Sequence, residues 1–151
     1  MIKAIKQFFD QNISPDVQTD NDHRLKLATA ALLIEMMKQD GETKEEEIEA
    51  LKRALQTKFA LSEKETHELI ELASEEARQS ADFYQFTSLI HEHFPPLKKI
   101  KIIEYLWMIA YADKHLDAHE EHMIRRISEL LYVSHQDFIK TKHKVLEKLK
   151  A

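Results

Sequence analysis

The chain contains no cysteine, which excludes disulfides and thiolate-bound zinc and is compatible with a reducing cytosol. It has one glycine and three prolines among 151 residues, so turns are few and helices should dominate. Long apolar runs are missing too. The longest, ATAALLIEMM at residues 28–37, is far short of a membrane span and is interrupted by Glu35, so no membrane insertion is expected. The N-terminal MIKAIKQFFDQN lacks the apolar core and small-residue cleavage site of a signal peptide, and a cytoplasmic location is the expectation. There is no basic excess: 22 lysines and arginines face 27 acids, a net charge of −5, which is a poor starting point for nucleic-acid binding. Gly-rich phosphate loops, a nucleophile elbow and serine–histidine spacings are all absent. No catalytic residue and no enzyme are therefore expected.

What is present is globular. Hydrophobic residues make up 43% and charged residues 32% of the chain, the balance of a folded protein, and its length suits a single domain spanning 1–151. Apolar residues recur three and four apart almost throughout. This predicts a first helix ending before Pro15, then helices over about 22–39 and about 44–58. Ser62-Glu63-Lys64-Glu65 is a capping-box pattern that opens the next helix. Asp82 is a candidate cap for a helix carrying Phe83, Phe86, Leu89 and Ile90. Pro95-Pro96 breaks the chain and suits the start of the following helix, which runs to about Tyr111, with further helices near 118–131 and 135–149. The expectation is an all-α bundle of about eight helices. Tyr105, Trp107, Met108 and Tyr111 read as core.

The chain also matches itself. At a shift of 73 residues, ATAALLIEMMKQD falls on KIIEYLWMIAYAD, pairing Asp40 with Asp113, Glu47 with Glu120, Leu51 with Ile124 and Ala54 with Ile127. At a shift of 72, FALSEKE falls on LYVSHQD. Each copy, about 25–79 and about 98–149, reads as helix, acidic turn, helix, capped helix. Two such copies would pack as one pseudo-symmetric core rather than a solenoid. Divergent duplication and convergence of two helical hairpins both account for the match.

The acidic turns admit two readings. Thr43-Lys44-Glu45-Glu46 and Asp117-Ala118-His119-Glu120 resemble capping boxes, and acids in a first helical turn suit the dipole. Caps and the dipole would explain most of Glu45, Glu46, Glu47, Asp117, Glu120 and Glu121 without a ligand. Asp40 and Asp113 are different, because each sits at a helix C-terminus, where the dipole disfavours negative charge. Carboxylates converging across such turns repel one another unless a cation or basic side chain intervenes. Oxygen donors of this kind suit calcium, magnesium or manganese better than zinc. The candidate metal ligands are Asp40, Glu46, Glu47, Asp113, Asp117, Glu120 and Glu121. Lysine neutralisation or hydrogen bonding to nearby amides is the alternative. Neither turn is an EF-hand, since the positions for glycine and the bidentate glutamate hold other residues. Gly41 can supply a left-handed helix end, whereas Lys114 stands at the matching place.

His115, His119 and His122 are spaced to share a helix face and offer imidazoles to a transition metal, although a surface cluster is the plainer reading. His91 and His93 sit near a helix end that favours positive charge. The lysines at 98, 99 and 101, and those of KTKHKVLEKLK, read as solvated helix faces or a docking surface for a protein partner.

The segments LLIEMMKQDGETKEEEIEAL and LWMIAYADKHLDAHEEHMIRRISELLYV resemble the two signature segments of the TerB-like family, named for bacterial tellurite-resistance protein B. The resemblance spans about residues 25–148 and rests on the paired acidic turns, the apolar helix before each, and RRISELL after the second. It implies an all-helical, two-repeat fold with acids clustered between the halves, a role in tellurite resistance or stress response, and divalent-cation binding. Asp40 with Glu47 and Asp113 with Glu120 match the family's acidic pairs, with Glu46 and Glu121 beside them. The alternative function is a metal-free helical module for protein–protein interaction.

Overall fold

Helical periodicity and local stop signals together produce eight α-helices among the described residues. The computed structural model describes residues 3–15, 21–41, 43–79, 84–112 and 118–150, without the side chains of 118 and 119. The helices are α1 (Lys3–Phe8), α2 (Asn21–Asp40), α3 (Glu45–Lys58), α4 (Glu63–Arg78), α5 (Gln85–His93), α6 (Pro96–Ala110), α7 (Ala118–Leu130) and α8 (His135–Lys150). A π-helical turn, Phe9–Ile13, prolongs α1. No strand occurs among the described residues.

Two helices form the centre. In α2, every residue from Leu27 to Met37 is buried, as expected of a helix that is apolar on all sides. Thr29 satisfies its hydroxyl by donating to the Leu25 carbonyl at 2.7 Å. The α6 helix is likewise buried through Ile102, Ile103, Leu106 and Trp107. These two pack on each other, α4 packs on α2, and α8 packs on α6. Trp107 locks the last pair: its indole N–H donates to Thr141 Oγ1 at 3.1 Å and lies 3.3 Å from the Phe138 carbonyl. Met108 departs from the core expectation. It falls on the outer face of α6 and is exposed, while Tyr105, Trp107 and Tyr111 are buried.

The element starts recur at the offsets of the self-match. Helix α3 begins at 45 and α7 at 118, 73 apart; α4 begins at 63 and α8 at 135, 72 apart. Their ends recur as well. With a single glycine available, the left-handed residues after α3 and α7 are Ala60 and Tyr132, both at φ 57°, again 72 apart.

Local signals explain four of the helix starts. Ser62 Oγ accepts the Glu65 N–H at 3.0 Å, and Glu65 returns to the Ser62 N–H at 2.9 Å, the reciprocal box expected from the sequence. Ser134 accepts the Asp137 N–H at 3.1 Å. Pro96 opens α6. For α3 the expected box shifts by one residue. The cap is Lys44, whose N–H lies 3.4 Å from Glu47 Oε1, because Thr43 is engaged elsewhere. Helix α5 has no local cap: Tyr84 precedes it without a side-chain bond, and Asp82 lies outside the described residues.

Candidate functional site

The first acidic turn is held by its own atoms. Asp40 closes α2, and its carboxylate accepts the Thr43 N–H at 3.1 Å and the Thr43 hydroxyl at 3.0 Å. Gly41, at φ +71° with open space where a Cβ would stand, supplies the left-handed step that folds the chain back. Hydrogen bonding to a nearby amide therefore offsets the unfavourable position of Asp40 at a helix end. Glu46 is exposed. One turn into α3, Glu47 reaches back toward the Lys44 amide and borders a cavity.

The second turn contributes Glu120 to the same cavity. Its neighbour Glu121 points elsewhere, accepting from Lys142 Nζ of α8 at 2.7 Å. Asp113 and Asp117 lie outside the described residues, as does His115, and with them the capping pattern expected before α7. His122 is exposed.

The cavity encloses about 320 Å³ between α2, α3, α6 and α7. Its walls are Leu33, Met37, Ala50, Leu51, Ala54, Ile109, Ala110, Ala112, Met123 and Ile124, with Glu47 and Glu120 as the acidic members. Four pairs of lining residues stand 73 apart: Met37 with Ala110, Glu47 with Glu120, Ala50 with Met123, and Leu51 with Ile124. The geometry thus brings one glutamate from each turn to a shared apolar chamber. No group of three or more histidines or acids able to hold a metal ion occurs among the described residues.

The family model described as tellurite resistance protein TerB matches residues 26–143. The chain belongs to the TerB family. No curated protein and no solved structure matches it.

This TerB domain also holds buried acids that the spacing of the acidic turns does not reveal. Glu104 of α6 is buried and takes Lys101 at 3.1 Å, Lys144 at 3.2 Å and Lys148 at 3.3 Å. Burial raises its pKa, but the three ammonium groups outweigh that and hold it below the usual carboxylate range. Glu35 of α2 and Glu76 of α4 are both 0% exposed, and their carboxyls interact. Burial, and then the Glu76 carboxyl, push Glu35 well above the usual range. The signal available in sequence was a carboxylate inside an apolar run, ATAALLIEMM for Glu35 and KIIEYLW for Glu104. Lys99, which the sequence placed on a solvated face, is buried with its Nζ 2.7 Å from His91 Nδ1.

Proposed function

We propose that this TerB-family domain is a non-enzymatic, cytoplasmic binding protein that takes a divalent cation between its two acidic turns, in a bacterial stress or tellurite-resistance response. The observation that carries the reading is the placement of Glu47 and Glu120, one from each turn, on one cavity. The donor chemistry suits a hard cation: Glu47 and Glu120 offer carboxylates to the cavity, and the Asp40 carboxylate and Thr43 hydroxyl stand in the first turn outside its lining. Asp113 and Asp117 are the further candidate ligands from the second turn. Calcium, magnesium or manganese suits this oxygen set better than zinc. When bound, the ion would neutralise the two turns and tie α3 to α7. Glu46 and Glu121 are weaker candidates, the first outside the cavity lining and the second paired with Lys142.

Thermal unfolding after chelation, repeated with each of the four ions, tests the proposal. An ion at a hundredfold its dissociation constant adds about 2.7 kcal/mol if it binds only the folded state. That gain should vanish in the Glu47→Gln/Glu120→Gln double variant and persist in Glu121→Gln. An equal shift in the double variant, or none in the wild type, would remove the cation from these turns.

The apolar lining of the cavity supports a second reading, a metal-free module that receives an apolar side chain of a protein partner flanked by basic groups. Filling the chamber with Ala54→Phe would then abolish partner binding, and no ion would shift the stability of the wild type.

A further inference from the structure

Helix α5 begins without a cap of its own, yet its first amides are all satisfied from distant helices. Glu76 Oε2 accepts the Gln85 N–H at 3.0 Å. Glu35 Oε2 accepts the Phe86 N–H at 2.8 Å, while Glu35 Oε1 accepts both the Thr87 N–H at 3.1 Å and the Thr87 hydroxyl at 2.8 Å. A helix start favours negative charge, but two fully ionised carboxylates in contact inside the protein would repel strongly. The donor count settles how the pair is arranged. Glu35 receives three hydrogens and acts as an acceptor at both oxygens. Glu76 uses only Oε2, and its Oε1 is buried with no hydrogen-bond partner among the described residues. One proton shared between that oxygen and the Glu35 carboxyl supplies the missing bond and leaves the pair a single negative charge facing three amides.

We propose that Glu35 and Glu76 form a proton-operated latch: the shared proton holds the start of α5 in the bundle, and its loss releases that start. No cation competes for this role. Among the described residues neither carboxyl forms an ion pair. On α4, Arg78 is paired with Glu75. On α2, Lys26 is paired with Asp22, His23 with Glu65, and Arg24 donates to the Pro15 carbonyl; Lys38 and Asp40 lie toward its C-terminus. The titratable groups of α5 are His91, Glu92 and His93 at its opposite end. On α1 and its π-helical extension, Lys6 is paired with Asp10, and Lys3 is exposed. On α7, Glu121 is paired with Lys142, and Glu120 borders the cavity; the remaining titratable groups among its described side chains are His122, Arg125, Arg126 and Glu129. Releasing α5 would also free what it holds, since Phe86 meets Phe8 of α1 edge-on with centroids 6.2 Å apart.

Amide hydrogen exchange of the intact protein between about pH 5 and pH 9, corrected for intrinsic rates, tests the latch through the carboxyl titration it assumes. Protection of the Phe86 and Thr87 amides should fall with rising pH, approaching about tenfold per pH unit for one linked proton, while Ile103 and Leu106 of α6 stay protected. The carboxyl carbon-13 shift of Glu35 should move with the same midpoint. Glu76→Gln supplies a fixed donor in place of the proton and an oxygen for the Gln85 amide, so α5 should stay protected without a pH slope. Glu35→Gln offers one acceptor to three donors and should lose protection at every pH. Protection in the wild type that does not change with pH, or a slope in Glu76→Gln equal to the wild-type slope, would overturn the proposal.

Discussion

Three lysines share the Glu104 carboxylate, and its position is informative because it opposes that of Glu35. The folded-state pKa of Glu104 lies below the unfolded value. Its contribution to stability is therefore present above about pH 4.3 and is lost as pH falls through the lowered value. Glu35, raised in the fold, contributes fully below about pH 4.3 and loses that contribution as pH rises through its raised value. Glu104→Gln should cost about 1–3 kcal/mol near neutral pH. The lysines are half-exposed and can return to water, which keeps the cost at this level. The gap between variant and wild type should close in acid, as read from urea unfolding at the two extremes. Another single-residue effect concerns backbone strain. Ala60 holds φ 57°, a conformation that costs a non-glycine residue about 1–2 kcal/mol. Ala60→Gly should raise the unfolding free energy by up to about 1 kcal/mol once the added unfolded-state entropy is subtracted. Equilibrium denaturation should show a higher midpoint with an unchanged slope. Neither the lysine partners of Glu104 nor the strain at Ala60 was legible in one dimension. Glu104 meets Lys144 and Lys148 40 and 44 residues further on, and a left-handed alanine has no signature of its own.

Helix boundaries divide by how local their chemistry is. The Ser62–Glu65 box lies within four residues and was readable in the sequence. Ser62→Ala should cost about 1 kcal/mol, measured by chemical denaturation. Its partner Glu65 also bonds His23 of α2 at 2.7 Å, so Glu65→Ala should cost more than the serine change. The start of α3 was readable only to within a residue. Three consecutive glutamates offer alternative registers, and Asp40 takes Thr43 out of competition, so Glu47 rather than Glu46 turns back to the cap. The start of α5 was not readable at all. Its acceptors lie 9 and 51 residues away in sequence, and no spacing rule connects them. The acidic turns show the same division. Helical period placed the acids beside the turns, whereas the apolar chamber joining Glu47 to Glu120 follows from how α2 and α6 pack.

At the scale of the molecule, the helix order and the two offsets of 73 and 72 residues were available from the sequence because each half carries its own turn and cap signals. The wall between the halves is also where a cation would act. Stabilisation by calcium, magnesium or manganese should therefore slow exchange in α3 and α7 together, and a shift confined to one of them would argue for a single-turn site.

Trp107 has a consequence of a different kind. It is the only tryptophan, fully buried between Tyr111 and Phe138 with Lys142 Nζ 5.4 Å from its ring centroid. Every optical signal that an indole gives therefore comes from the contact of α6 with α8. Helices α1 to α5 contribute helical ellipticity but no indole emission. Loosening of α5 should lower ellipticity while leaving the emission maximum unmoved, so comparing the two melting curves separates events in the first five helices from unfolding of the last three without any added label.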